Sequence, residues 1–108
     1  MRKLITHLPE RFKKFQKDFP EIYNAYENLG NSVHKAGPLN EKARALIKLA
    51  ISSGARLEGA VKTHTRKAIA AGCTLEEIRQ TVLLAIPTIG FPSTVAVMSW
   101  VDEVIEKN

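Results

Sequence analysis

The chain has 108 residues, of which 44% are hydrophobic and 25% are charged, a composition typical of one small globular domain rather than a disordered chain. Its 16 Lys and Arg exceed its 11 Asp and Glu by five charges, and its one cysteine excludes an internal disulfide, a four-thiolate zinc site and a dithiol redox cycle within one chain. No stretch approaches the roughly 20 apolar residues of a membrane span, and the polar start argues against a signal peptide. We therefore expect a cytoplasmic protein.

Residues 1–37 are predicted to form a basic helical segment. Residues 1–20 carry a net charge of +4 and the rest of the chain only +1. Phe12, Phe15 and Phe19 recur at helical spacing, so we expect a helix over 10–18 and a second one that extends from Pro20 to about His34. The charges then lie mostly on solvated faces. We expect no nucleic-acid or membrane binding, although one exposed basic patch in this segment would favour nucleic acid.

After the break at Ala36-Gly37-Pro38, the pattern predicts a helix that begins at the N-cap residue Asn40 and ends at Ser52-Ser53-Gly54. Its apolar positions nearly encircle it, so we expect a central, buried helix. These positions are Ala43, Ala45, Leu46, Ile47, Leu49, Ala50 and Ile51.

Three more helices complete the predicted all-α fold of about six helices. One runs from about Leu57 to Ala71, and the next opens with a capping box of Thr74 and Glu77. Pro87 is expected to kink the last turn of that second helix. The final helix, from Pro92 to about Ile105, is apolar nearly all round. Because so short a chain cannot cover two such helices, we expect a homo-oligomer.

One stretch carries a recognisable motif. His64 is followed by Ala68-x-x-x-Gly72-x-Thr74-x-Glu76-Glu77-Ile78, and a Gly-containing break, Gly90-Phe91-Pro92, precedes the closing helix. Residues 38–105 thereby resemble the carboxymuconolactone decarboxylase and alkylhydroperoxidase D-like family. The resemblance implies an alkylhydroperoxidase D-like helical bundle, an oxidoreductase-like fold in which residues 38–108 form the core of a single structural domain. It also implies a homo-oligomer, most simply a hexamer built from dimers or trimers, with sites near His64 at subunit boundaries.

The sequence departs from that family at its redox residues. The family motif Cys-Glu-x-Cys-x-x-x-His places its two cysteines at Leu57 and Ala60, and the assisting Glu of the preceding helix at Ala45. Peroxide reduction by that route needs an attacking thiolate and a resolving thiol. Cys73 lies outside the motif and is interpreted as a packing residue. We therefore expect no dithiol peroxidase activity from this degenerate cysteine motif.

Two interpretations of His64 remain. As a lyase-like or decarboxylase-like enzyme, the protein would use His64, assisted by Glu58, for acid-base chemistry on a small carbonyl or carboxylate substrate. The family's decarboxylases tend to carry Glu four residues before the His, where this chain has Ala60. Glu58, six residues before His64, shares no helix face with it, so a neighbouring subunit or a late helix start would have to bring the acid close. Alternatively, His64 is an interface histidine of a non-catalytic oligomeric scaffold or small-ligand-binding protein.

Three side chains are candidates for substrate binding. Lys62 and Arg66 lie near His64 in sequence and, with Lys67, are able to hold an anion, while Ser93 lies at a helix N-terminus. The plainer interpretations are that the three basic residues form a solvated charged face and that Ser93 caps its helix. The three histidines lack metal-ligand spacing, so we expect neither a metal nor a cofactor.

Overall fold

The computed structural model describes residues 10–107, and residues 1–9 of the predicted basic segment lie outside this range, as does Asn108. Within the described residues every regular element is a helix, which confirms the all-α fold. Six helices have nine residues or more and one has four. They are α1 (Glu10–Asp18), α2 (Pro20–His34), α3 (Glu41–Gly54), α4 (Glu58–Ala70), α5 (Leu75–Leu83), α6 (Ile86–Ile89) and α7 (Phe91–Glu106).

The described residues divide into two compact units, residues 10–39 and residues 40–107. The first unit consists of α1 and α2, whose bounds agree with the predicted helices. Neither helix has a buried residue. The rings of Phe15 and Phe19 contact each other at 5.1 Å between centroids, yet both remain exposed, as do Ile22, Tyr26, Leu29 and Val33 along α2. Phe15 and Phe19 of the aromatic face predicted for α1 are therefore not buried within this unit.

The second unit contains the hydrophobic core. Helix α4 packs against α3 and α7, and α5 packs against α3 and α7. Side chains from all four helices are fully excluded from solvent: Leu49, Val61, Ala68, Ile78, Val82, Val97 and Val101. Four residues with hydroxyl groups are buried in this unit, Ser52, Ser53, Thr65 and Thr94. The hydroxyls of Ser53 and Thr65 each donate to a carbonyl one turn earlier at 2.7 Å, so the burial of these two leaves neither unpaired.

Helix α3 is buried on one side only, so the predicted central helix is wrong for the single chain. Asn40 caps it as predicted, with its side chain accepting from the Ala43 amide at 2.8 Å. Ala45 and Leu49 point into the core, whereas Ile51 is 66% exposed and Ile47 is 43% exposed. The physical reason is that α4 and α5 cover only one face of α3.

The predicted kink at Pro87 is also wrong, because the helix ends before the proline. Helix α5 begins with the predicted capping box, in which Thr74 and Glu77 satisfy each other's backbone amides, but it ends at Leu83. Pro87 lies in the first turn of the separate helix α6, where its missing N–H costs no helical hydrogen bond. Gly90 then adopts a φ of 100°, which an L side chain rarely adopts, and α7 begins one residue later. None of the described helices has the length and apolar character needed to cross a membrane.

Candidate functional site

A helical hairpin formed by α3 and α4 brings Lys48 near enough to His64 for its charge to lower the pKa of the imidazole. The connection has three residues, and its backbone closes tightly, with the amides of Arg56 and Leu57 donating to the carbonyls of Ser53 and Ser52. Arg56 takes up the left-handed conformation, with a φ of 54°. The two helices pack against each other and must run antiparallel across so short a connection. Lys48 and His64 each lie eight residues from Arg56 and are therefore at the same level of the hairpin.

The imidazole of His64 is half-buried in a cationic environment. Burial first, and then the positive charges of Lys67 and Lys48, together lower its pKa from 6.5 to about 4. His64 is therefore neutral at pH 7, with one ring nitrogen available as a proton acceptor. Only cations contribute to the electrostatic part of this shift among the described residues.

Lys48 has a similar environment. Its side chain is half-buried, and its pKa is lowered first by this burial and then by the charges of Lys67 and Arg44. Arg44 lies one turn before Lys48 on α3, and Lys67 lies one turn after His64 on α4. We call Arg44, Lys48, His64 and Lys67 the cationic cluster. A neutral imidazole among three cationic side chains is suited to receive an anionic molecule and to accept a proton from it.

The structure does not bring Glu58 and His64 together within one chain. Six residues turn a helix by about 600°, so the two side chains point about 120° apart around α4. The Glu58 carboxylate instead accepts from the Lys62 ammonium at 2.9 Å, and Lys62 also contacts the Glu103 carboxylate of α7 at 2.8 Å. Both hydrogen bonds raise the pKa of Lys62. The joint role of His64 and Glu58 stays a prediction, and so does substrate binding by Lys62.

The other predicted residues occupy separate places. Arg66 follows His64 by two residues and is therefore about 200° away around α4. Ser93 lies in the first turn of α7, where its hydroxyl accepts from the Arg56 guanidinium at 3.2 Å. Cys73 is buried, with its sulfur 3.8 Å from the Lys42 carbonyl oxygen, and burial raises the pKa of this thiol. None of these three is among the groups whose charges shift the pKa of His64.

Sequence reasoning missed Lys48 and Arg44, which contribute half of the cationic cluster. Both precede the recognised motif and lie on the preceding helix. The available signal was the turn of the hairpin: once Ser52-Ser53-Gly54 is taken as a helix end, residues at equal distance from Arg56 lie at the same level of the two helices. Position 48 is the counterpart of position 64 by that rule.

Comparison with known proteins decides the family. The model of the Carboxymuconolactone decarboxylase family matches residues 20–103, which is most of the chain. The chain belongs to the carboxymuconolactone decarboxylase family. Within this family, a carboxymuconolactone decarboxylase family protein from Legionella pneumophila, solved in the apo form, has the same fold. It superposes with a TM-score of 0.78 over 90% of this chain and 87% of that chain, at 25% identity.

Two similar sequences are uncharacterized proteins. One, from Methanocaldococcus jannaschii, is 32% identical over 88% of this chain and 89% of its own length. The other, from Haemophilus influenzae, is 30% identical over 58% of this chain and 56% of its own length. The family match begins at Pro20 and so includes α2, whereas the resemblance read from the motif began only at residue 38. This family member has one cysteine, Cys73, and therefore no cysteine pair within the chain.

Proposed function

We propose that this carboxymuconolactone decarboxylase family protein catalyses proton transfer on a small carbonyl or carboxylate substrate, with His64 as the base. The observation that carries the proposal is the half-buried imidazole with a pKa of about 4 beside Lys48 and Lys67. The imidazole is neutral at pH 7, so one ring nitrogen is free of a proton, and a substrate carboxylate bound beside it would raise its low pKa toward the range in which histidine is an effective base. The flanking ammonium groups favour a substrate with a carboxylate and stabilise the negative charge that develops when a C–H or carboxyl proton leaves.

The cysteine supports the same proposal. Cys73 is buried and its pKa is raised, so little thiolate forms at neutral pH. No second thiol exists in the sequence to resolve a sulfenic acid. Proton transfer by His64 therefore fits this chain better than thiol-dependent peroxide reduction.

We also propose that the protein works in the cytoplasm as a homo-oligomer, a hexamer built from dimers or trimers. Exposed apolar side chains on the second unit support the assembly, among them Ile51 at 66% and Phe91 at 64%. In such an assembly a second copy is able to bring a carboxylate to His64. The catalytic role predicted for Glu58 requires this arrangement, in which Glu58 of one copy approaches His64 of another, because within its own chain the Glu58 carboxylate is paired with Lys62.

The test is hydrogen exchange catalysed by the protein. Small carbonyl acids, including 3-oxo acids and a carboxylated lactone, are incubated in D2O, and loss of the α-proton signal and release of CO2 are followed by NMR. We expect His64→Gln to slow the catalysed reaction by about 100-fold or more, the usual range for a general base.

The matched control is His34→Gln, which removes a histidine from the other unit and leaves His64 in place. It should retain the wild-type rate. A panel in which no compound reacts faster with wild type than with His64→Gln would refute the proposal.

A further inference from the structure

We propose that helix α2 pairs with α2 of a second copy of this chain, in the antiparallel direction, through a stripe of exposed apolar side chains. We call this stripe the α2 seam, and it consists of Ile22, Tyr26, Leu29 and Val33. The interface belongs to the first unit. It is therefore separate from the proton transfer proposed for His64 and from the exposed side chains of the second unit.

The α2 seam has the spacing of a stripe that packs against another helix. Its four residues follow one another at intervals of four, three and four, which places them on one side of α2. So narrow a stripe, with a mean period of 3.5 residues, is the pattern by which two helices pack along each other. The other side of α2 is polar and exposed: Asn24, Glu27, Asn28 and Asn31. The spacing therefore indicates a single helix as the partner of the seam.

The area of the α2 seam fits a pair of copies. Its side chains are 60–65% exposed, and together they present roughly 500 Å² of surface per copy. Two seams that cover each other would bury roughly 1,000 Å², which reaches the area of a specific interface. Because α2 has 15 residues and none of them is buried, covering the seam would also stabilise a helix that is marginal when surrounded by water.

The α2 seam is complementary to itself when two copies run antiparallel. Ile22 then lies at the level of Val33, and Tyr26 at the level of Leu29, so each layer of the interface pairs a larger side chain with a smaller one. The positions that flank the seam on α2 carry no charge: Tyr23, Ala25, Gly30 and Ser32. Identical copies therefore meet along the seam without opposing like charges.

Charge also favours the antiparallel direction over the parallel one. Glu21 lies in the first turn of α2, and Lys35 directly follows its last turn. Antiparallel pairing brings the acidic end of one α2 beside the basic end of the other, and it aligns the two helix dipoles favourably. Helix α1, which precedes α2, carries four basic and two acidic side chains. Parallel pairing would bring the two basic copies of α1 together, whereas antiparallel pairing keeps them at opposite ends.

The first experiment measures the molar mass of the full chain in solution, by light scattering after size exclusion. Leu29→Glu places a charge in the seam and should halve the molar mass, because one two-fold interface is lost. Asn28→Glu adds the same charge to the polar side of the same helix and should keep the wild-type mass. A monomeric wild type, or Leu29→Glu with the wild-type mass, would overturn the proposal, since a different partner would then cover the seam.

The second experiment tests the pairing without adding a charge. Two chains in a Cys73→Ser background, one with Tyr26→Cys and the other with Leu29→Cys, are mixed until subunits exchange and are then mildly oxidised. A control mixture combines Asn24→Cys with Asn28→Cys on the polar side. Since a disulfide requires Cα atoms within about 7 Å, we expect the seam mixture to form disulfides between the two kinds of chain at least about tenfold faster than the control.

Two results of this second experiment would contradict the proposal. Linkage no faster than in the control mixture would show that the seams do not meet. Linkage mainly between identical chains would show that they meet in the parallel direction. Hydrogen exchange that does not depend on His64 would refute the proton transfer and leave this interface unaffected.

Discussion

Replacement of His64 by glutamine should flatten the pH dependence of stability. The folded protein holds His64 with a pKa of about 4, against 6.5 for an unperturbed histidine. Between these two values the unfolded chain binds more protons than the folded one, so acid favours unfolding. The contribution of His64 is therefore fully present above pH 6.5 and is lost as the pH falls toward 4.

The magnitude follows from these two pKa values. At about pH 5 they correspond to a loss of about 2 kcal/mol in the free energy of unfolding, relative to about pH 8. Because the imidazole is only partly buried, solvent screening reduces the expected loss to about 1 kcal/mol. Glu77 and Glu103 have pKa values lowered from 4.5, so their contributions are lost below this window.

The assay is urea denaturation of wild type and His64→Gln at about pH 8 and pH 5, at one protein concentration because oligomerisation adds to apparent stability. Wild type should lose about 1 kcal/mol more than the variant. His34→Gln, which removes a histidine of the other unit, is measured in parallel. If His64→Gln is as sensitive to acid as wild type, the proposed environment of His64 is refuted.

Two further predictions concern the fold of the second unit. Leu49→Ala should lower the free energy of unfolding by about 3 kcal/mol, because this side chain is fully buried. Ile51 is exposed on the same helix, so Ile51→Ala should lower it by less than about 1 kcal/mol in a monomeric sample. Chemical denaturation measures both losses, and equal losses would contradict the orientation of α3. Thr74→Ala should lower the free energy of unfolding by about 1 kcal/mol, because the Glu77 amide loses its hydrogen bond to the Thr74 hydroxyl, and Thr74→Ser should retain most of this stability. If Thr74→Ala is as stable as wild type in the same assay, the cap contributes nothing.

Local rules predicted the helix ends well because capping is a property of a few adjacent residues. Asn40 and Thr74 both begin helices in the structure, and Pro20 stands in the first turn of α2. The prediction of a kink at Pro87 was wrong because the sequence does not show whether a helix bends at a proline or ends before it. Here the chain ends α5 at Leu83 and begins a short helix around Pro87.

Burial was harder to predict than helicity. The composition of α3 predicts an apolar surface all round, but which side faces the core depends on the helices that pack against it. Ile51 is as apolar as Leu49 and lies on the uncovered side. For the candidate site, the motif identified His64 but not Lys48, since contact between α3 and α4 is a tertiary property. A pattern within one helix also could not reveal that Lys62 pairs with Glu103 from α7.

The predicted positions of the family's redox residues and the cationic cluster lie on the same α3–α4 hairpin. The motif resemblance predicts that the family's assisting Glu corresponds to Ala45, which is part of the core, and Lys48 lies one turn further along the same helix. A hairpin with two thiols and an acid favours a thiolate that attacks peroxide. A hairpin with a neutral imidazole and cations favours an anionic molecule and disfavours any step that leaves positive charge on the histidine for long. His64 therefore suits a transient proton relay, and hydrogen exchange in D2O, compared between wild type, His64→Gln and His34→Gln, distinguishes this chemistry from a histidine that only packs.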